Sequence, residues 1–288
     1  MLVTPARNEA AFIEETIRSV IAQTVRPLKW VIVSDGSTDG TDEIATGYAA
    51  EHAWIEFVRT PEREERHFAG KVHAFNAGFE RLKGLEYDII GSLDADISFE
   101  PEYFEFLLQK FVENPRLGVG GTPFREGGSS YNYRYTSDDH VSGACQLFRR
   151  ECFESIGGYV PLKVGGIDLA AVLTARLKGW QTKTFTDKWC DHHRIMGTAN
   201  QSTLMVAFKG GYHDYLMGGH PVWQFFRSIY QMRGRPLVIG SCFLFAGYVW
   251  AAVTRAEKVV SRDLVKFRRK EQMVRLRKFL RERLLLPS

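Results

Sequence analysis

Cysteine is scarce and unpaired in this chain of 288 residues. Cys145, Cys152, Cys190 and Cys242 show the spacing of neither a disulfide framework nor a zinc framework. A small disulfide-stapled secreted scaffold is thereby excluded, and a reducing cytosol is the simplest compartment. In that compartment the sequon Asn200-Gln201-Ser202 carries no meaning. A signal peptide is also lacking, because "MLVTPARNEAAF" turns polar too soon. That stretch reads as a first strand starting almost at the initiator, so a few native residues are expected to be missing before it. Internal repeats and low-complexity linkers are absent. No G-x-G-x-x-G follows the first strand, which sets aside a dinucleotide-dependent oxidoreductase.

What is present is ordinary in bulk and uneven in distribution. Hydrophobic residues make up 44% and charged residues 25%, enough for one large α/β domain plus an appendage. The net charge is +4, but Arg255 to Ser288 holds 12 Lys or Arg against 4 Asp or Glu. An otherwise slightly acidic chain therefore ends in a basic tail, which points to an anionic surface as partner.

Over the first two-thirds the hydrophobic period alternates. "LVTPA", "KWVIVSDG", "WIEFVRT", "YDIIGSLDAD" and "LGVGGTPF" read as strands. Between them "EAAFIEETIRSVIAQ", "TDEIATGYAAEHA", "GKVHAFNAGFERLK" and "PEYFEFLLQKFVENP" read as helices, the last bounded by Pro101 and Pro115. This alternation predicts a mostly parallel sheet covered by helices on both faces. Ligands of such sheets collect outside the carboxyl ends of the strands, where the polar clusters Pro5–Glu9, Ser34–Asp39 and Asp94–Asp96 fall. Further on, "REGGSSYNYRYTSDDH" is a polar, aromatic-bearing loop of a functional kind. "GACQLFRRECFESIGGY" is a strand and short helix, and "DLAAVLTARLKG" an amphipathic helix.

Asp94 and Asp96 end an apolar run, where unpaired charge is costly. If the strand persists through Ala95, both carboxylates face one side and suit a divalent cation with a diphosphate. Capping of the following turn is the alternative. Asp35 and Asp39, among glycines and hydroxyls, suit a base and ribose or an ordinary Asp/Gly turn. Glu9 equally suits the dipole of the helix it opens.

Together, "TPARNEAAFIEETIRSVIAQT", "VIVSDGSTDGT", "AGKVHAFNAGF" and "LDAD" resemble glycosyltransferase family 2 over roughly residues 1–200. The resemblance implies the GT-A fold and an inverting transferase using a nucleotide-diphosphate sugar, commonly a UDP-sugar. It carries donor binding onto Pro5, Arg7, Glu9, Asp35, Lys71 and Asp94, and Mg²⁺ or Mn²⁺ binding onto Asp94 and Asp96. Ser34 stands where the family often has a first Asp. The family's base follows a Gly-Gly-aromatic turn as Glu-Asp. Here "GGYVPLKVGGID" places Ile167 at the Glu position and leaves Asp168 as the catalytic base, with a helix N-cap as its alternative role. In "CDHHR" the resemblance makes His193 a third metal ligand and Arg194 a holder of the diphosphate, a structural role staying open for His192 and His193.

The last third carries two lipid-facing signals. "PLVIGSCFLFAGYVWAAVT", 236–254, is uncharged and of about membrane-spanning length. Basic residues flank it on both sides, so a re-entrant or interfacial segment is favoured over a span. The tail reads as a basic amphipathic helix on anionic lipid rather than on nucleic acid, with a solvated helix packed on the domain as the alternative. The expected organisation is a catalytic domain over 1–200, a connecting helical segment over 201–235 and a membrane-associated region over 236–288. The expected location is the cytoplasmic face of a membrane, as a peripheral, re-entrant or single-span protein. The expected acceptor is a polyprenyl-diphosphate-linked saccharide in cell-surface polysaccharide assembly. Lack of a QxxRW motif and of multiple spans favours a single addition. A non-catalytic nucleotide-sugar-binding protein, or transfer to a soluble or protein acceptor, stays open.

Overall fold

Trp30–Asp35 is buried along its whole length, as an apolar run must be when helices cover both faces of its sheet. The computed structural model describes residues 1–62, 67–127, 129–130, 137–194, 203–232 and 237–284. The chain divides into two compact units, Met1–Ile195 and Met196–Ser288.

The strands of the first unit are β1 Leu2–Ala6, β2 Trp30–Asp35, β3 Ile55–Thr60, β4 Ile89–Leu93, β5 Ile97–Ser98, β6 Leu117–Gly121, β7 Phe124–Glu126, β8 Ser129–Ser130, β9 Cys145–Arg149, β10 Gln181–Thr184 and β11 Cys190–His192. Its helices are α1 Ile13–Ile21, α2 Thr41–Glu51, α3 Ala69–Glu80, α4 Tyr103–Glu113, α5 Arg150–Ile156 and α6 Ile167–Leu177. Seven strands form the main sheet in the order β10-β6-β9-β4-β1-β2-β3. Only β9 runs antiparallel to its neighbours, β4 and β6. A small second sheet, β5-β11-β7-β8, stands beside it. Of the polar loop expected over 125–140, residues 128 and 131–136 lie outside the described residues.

Alternation along the central strands sorts side chains between two apolar layers. Leu2, Trp30 and Ile32 face one, with Ile13 and Ile17 of α1 and Tyr103 and Leu107 of α4. Val3 and Val33 face α3, where a Cβ on Gly78 would stand 2.7 Å and 2.8 Å from their methyl groups. Only glycine lets α3 lie that close. Phe75 of α3 then packs edge-on against Tyr159 at 5.0 Å, within a cluster that includes Phe148 and Phe153. The carboxyl ends of β1, β2 and β4 are left free to present polar loops.

The second unit comprises α7 Thr203–Leu216, α8 Pro221–Gln231, α9 Leu237–Val253 and α10 Arg262–Leu284. A Cβ on Gly211 of α7 would fall on the Leu244 carbonyl, and one on Gly247 of α9 on the Phe208 carbonyl. These two helices therefore pack backbone to backbone. In α10, Leu264, Val265 and Leu276 point inward with Arg268 and Gln272. Arg268 donates to Asp214 at 2.7 Å and to the Met217 carbonyl at 2.9 Å. The uncharged segment is thus a helix that packs on α7 by one face, and the tail helix turns Leu264, Val265 and Leu276 to the unit's interior while Val274 and Phe279 stay exposed. Among the described residues, no helix is long and apolar enough to cross a membrane.

Candidate active site

The loop after β1 is tied to the loop after β2. Asn8 adopts the left-handed backbone (φ 57°), which asparagine tolerates better than most residues. Its amide donates to Ser37 Oγ at 3.1 Å, and its Oδ1 accepts from Thr38 N at 2.9 Å. Asp39 accepts from Ala10 N at 3.0 Å and from Thr41, so its carboxylate staples the two loops together. Arg7 lies 3.7 Å from the buried Asp35 carboxylate. Pro5 sits in β1 opposite Val33, one pair before the strand ends.

Asp94 and Asp96 reach a common site by a route different from the expected one. Strand β4 stops at Leu93, and a turn carries Asp94, the buried Ala95 and Asp96 into β5. The turn is fixed by backbone pairing: Asp94 N donates to the Ala144 carbonyl, and His193 N donates to the Asp96 carbonyl, each at 2.9 Å. Side-chain alternation through Ala95 therefore plays no part; the turn itself turns both carboxylates to one side.

His192, rather than the expected His193, joins them. One ligand atom from each of Asp94, Asp96 and His192 lies within 4.8 Å of the others. The reason is pairing with β5, in which His192 stands opposite Ile97 and Asp191 opposite Ser98. His193 is turned to Ser98 Oγ at 2.9 Å and to Glu15 at 3.6 Å. His192 turns its Nε2 to the carboxylates, 3.6 Å from Asp96 Oδ1, where a neutral imidazole can donate a lone pair to a cation. Two carboxylates and an imidazole converging on one point fit a divalent cation.

Cations of the chain already neutralise these carboxylates. Lys71 Nζ donates to Asp94 Oδ1 and, at 3.3 Å, to the Gly143 carbonyl. Arg194 lies 3.5 Å from Asp96, donates to Glu9 and to the Asn8 carbonyl, and stacks 5.6 Å over Phe12. Burial raises the pKa of Asp94, Lys71 opposing and Asp96 adding to the rise. For Lys71, burial disfavours the charge, but Asp94 outweighs it and the pKa rises. Burial also lifts Glu9 to about 7 against the hydrogen bond from Arg194.

Asp168 stands in the first turn of α6, and Gly166, in left-handed conformation, takes the N-cap position. Its alternative role as the N-cap is thereby removed. A Cβ on Gly143 would lie 3.1 Å from the Asp168 Cβ, a tight contact, so Asp168 packs close on this glycine. Gly143 thus touches both groups, its Cα side facing Asp168 and its carbonyl accepting from Lys71 at 3.3 Å. Beneath them is a cavity of about 10 Å³, lined by Ser92, Gln146, Tyr159, Lys71 and Asp168 among others, which is the size of one water. Tyr159 donates to Gln146 at 2.8 Å within that wall.

Lys71, Asp94, Asp96 and Asp168 gather at one end of the sheet with Glu9 and Arg194, while Arg7 and Asp35 form a neighbouring pair. Asn8 and Gly143 are not singled out by the sequence, and of the histidine pair it named, His192 takes the place expected of His193. A helix-opening Asn before Glu9 and an isolated Gly ahead of a strand are faint signals for the first two.

The glycosyl transferase family 2 model matches residues 1–163. A poly-beta-1,6-N-acetyl-D-glucosamine synthase of Staphylococcus aureus is 26% identical over 196 residues, covering 61% of this chain and 45% of that protein. The Staphylococcus epidermidis protein of the same name is 30% identical over 117 residues, covering 40% and 26%. The matches thus span less than half the length of these curated relatives. Among solved structures, the mannosyltransferase PcManGT from Pyrobaculum calidifontis, in complex with GDP-Man and Mn²⁺, has a TM-score of 0.59 at 19% identity, over 97% of this chain and 79% of that one. S. aureus TarS 1–349 in complex with UDP gives 0.55 at 14% identity, over 88% and 71%. With more than half its length matched by the family model and its carboxylates gathered at the end of a mostly parallel sheet, the chain belongs to glycosyltransferase family 2.

Proposed function

We propose that this glycosyltransferase moves a sugar, with inversion, from a UDP-sugar to a polyprenyl-diphosphate-linked saccharide at the cytoplasmic face of a membrane. The observation that carries the reading is the chain of contacts at Gly143, which meets Asp168 and accepts from Lys71, with Lys71 in turn on Asp94. Nucleophile activation and leaving-group support are thereby neighbours without being one site.

Asp94, Asp96 and His192 would hold Mg²⁺ or Mn²⁺, which supplies Lewis-acid stabilisation of the departing diphosphate. Lys71 and Arg194 add positive charge where negative charge develops on phosphate. Asp35 and Arg7 face the nucleoside end. Asp168 takes the proton of the acceptor hydroxyl as general base, and attack from the face opposite the leaving group inverts the anomeric carbon. The acceptor class follows the basic, apolar composition of the last third, and the nucleotide donor requires the cytoplasmic side.

Asp168→Asn is expected to lower turnover about 10²–10⁴-fold, the usual contribution of a general base. Calorimetric titration with UDP and Mn²⁺ should show donor-site affinity within about twofold of the parent, since a removed base leaves binding intact. Unchanged turnover in that variant would remove Asp168 from the mechanism.

A further inference from the structure

The second unit buries an apolar core and yet leaves a second apolar face on α8 and α9 exposed. On α8 the residues turned inward are Gln224 and Ser228, one helical turn apart and buried. The residues turned outward are Val222, Phe225, Phe226 and Ile229. On α9, Ser241, Leu244, Tyr248 and Ala251 are inward, and Ile239, Phe243, Trp250 and Val253 are outward. Both outward rows follow the three-and-four spacing of a single helical face. These eight side chains are between 36% and 73% exposed. The two helices are neighbours, joined by the Phe225 and Phe245 rings at 5.9 Å. No charged residue occurs anywhere in α9.

An exposed apolar face of this extent marks a docking surface. We infer that the outward rows of α8 and α9 dock into the interfacial layer of a lipid bilayer, lying in it rather than crossing it. This rests on the membrane-surface reading above and deepens it, adding α8 to the interfacial segment expected over 236–254 and naming the side chains that enter the lipid. Two features select lipid over a second copy of the chain. Arg255 and Lys258 follow α9 directly and open the segment that holds 12 basic against 4 acidic residues. Lys266 and Lys278 of α10 extend into solvent with side chains 81% and 77% exposed. Pairing two such units would bring their cations together, whereas anionic headgroups neutralise them. A tryptophan such as Trp250 is also at home at a membrane interface.

The test is flotation of the full chain with vesicles, without donor or acceptor, so that it reads the surface and not the reaction. Vesicles of phosphatidylcholine alone and of phosphatidylcholine with phosphatidylserine are compared at low salt and at 1 M salt. The chain should bind both, more than tenfold tighter to the anionic vesicles at low salt, with that advantage lost at 1 M and apolar binding retained. The combined variant Phe226→Gln, Ile239→Gln, Phe243→Gln and Trp250→Gln should bind either vesicle at least tenfold more weakly, with unaltered circular dichroism. Lys266→Glu with Lys278→Glu should lose only the anionic advantage. Should the combined variant fail to fold, Phe243→Gln and Trp250→Gln are read singly, each as a loss of severalfold. A parent chain that stays in solution at 1 M salt, or apolar variants that float as the parent does, would overturn the inference. So would a dimer in analytical ultracentrifugation that these same substitutions dissociate. Asp168→Asn should float like the parent, so failure of the catalytic reading and failure of the docking face are told apart.

Discussion

His192 and His193 are adjacent in the chain and serve different neighbours, and the cause is strand pairing rather than anything in their own segment. The sequence places a histidine pair near the end of a strand. Which of the two meets Asp96 depends on β11 pairing with β5, two residues formed beyond a turn nearly a hundred positions earlier. That register is non-local and therefore illegible. Asp94, Asp96, Lys71 and Asp168 were legible because each sits within a motif whose neighbours constrain it. On the proposal that His192 holds the metal, His192→Ala should weaken Mn²⁺-dependent UDP binding by more than tenfold in calorimetry, while His193→Ala changes it less than about threefold. Equal losses from the two variants would return the assignment to either residue. Asp168 was legible in position but not in its alternative role, because the left-handed Gly166 that caps α6 in its place shows only in the backbone.

Elements were read where their information is local. The alternation of periods gave strand and helix along most of the first unit, since each period is written within about ten residues. What escaped depends on partners: the antiparallel insertion of β9 between β4 and β6, and the small second sheet. The 236–254 segment escaped differently. Its lack of charge is visible, but its glycine at 247 acquires meaning only beside Gly211 of α7. Gly211→Ala would push a methyl group into the Leu244 carbonyl, which a helix backbone cannot yield cheaply. The expected cost is about 2–4 kcal/mol in chemical denaturation. Gly47→Ala is the contrasting case, because a Cβ there meets nothing within 4 Å. In the interior of α2 it should stabilise by about 0.5–1 kcal/mol through helix propensity. A neutral Gly211→Ala would mean that α7 and α9 do not approach as described.

At the scale of the whole molecule, two units with separate cores should melt as separate transitions. Mn²⁺ with UDP at a hundredfold excess over its dissociation constant should stabilise the transition of the first unit by about 2.7 kcal/mol and leave that of the second in place. Differential scanning calorimetry reads both at once, and a joint shift would show the units to be energetically coupled. The cationic contacts in the first unit carry a further consequence. Lys71 sits on Asp94, and Arg194 bridges Glu9 and Asp96. The carboxylates are thus electrically satisfied before any metal arrives, and a divalent ion arriving alone competes with two tethered side chains. A diphosphate changes the terms, because it offers Lys71 and Arg194 other oxygens and so releases the carboxylates. Loading becomes an exchange of partners, and linkage makes the help mutual: whatever the nucleotide gains from the ion, the ion gains from the nucleotide.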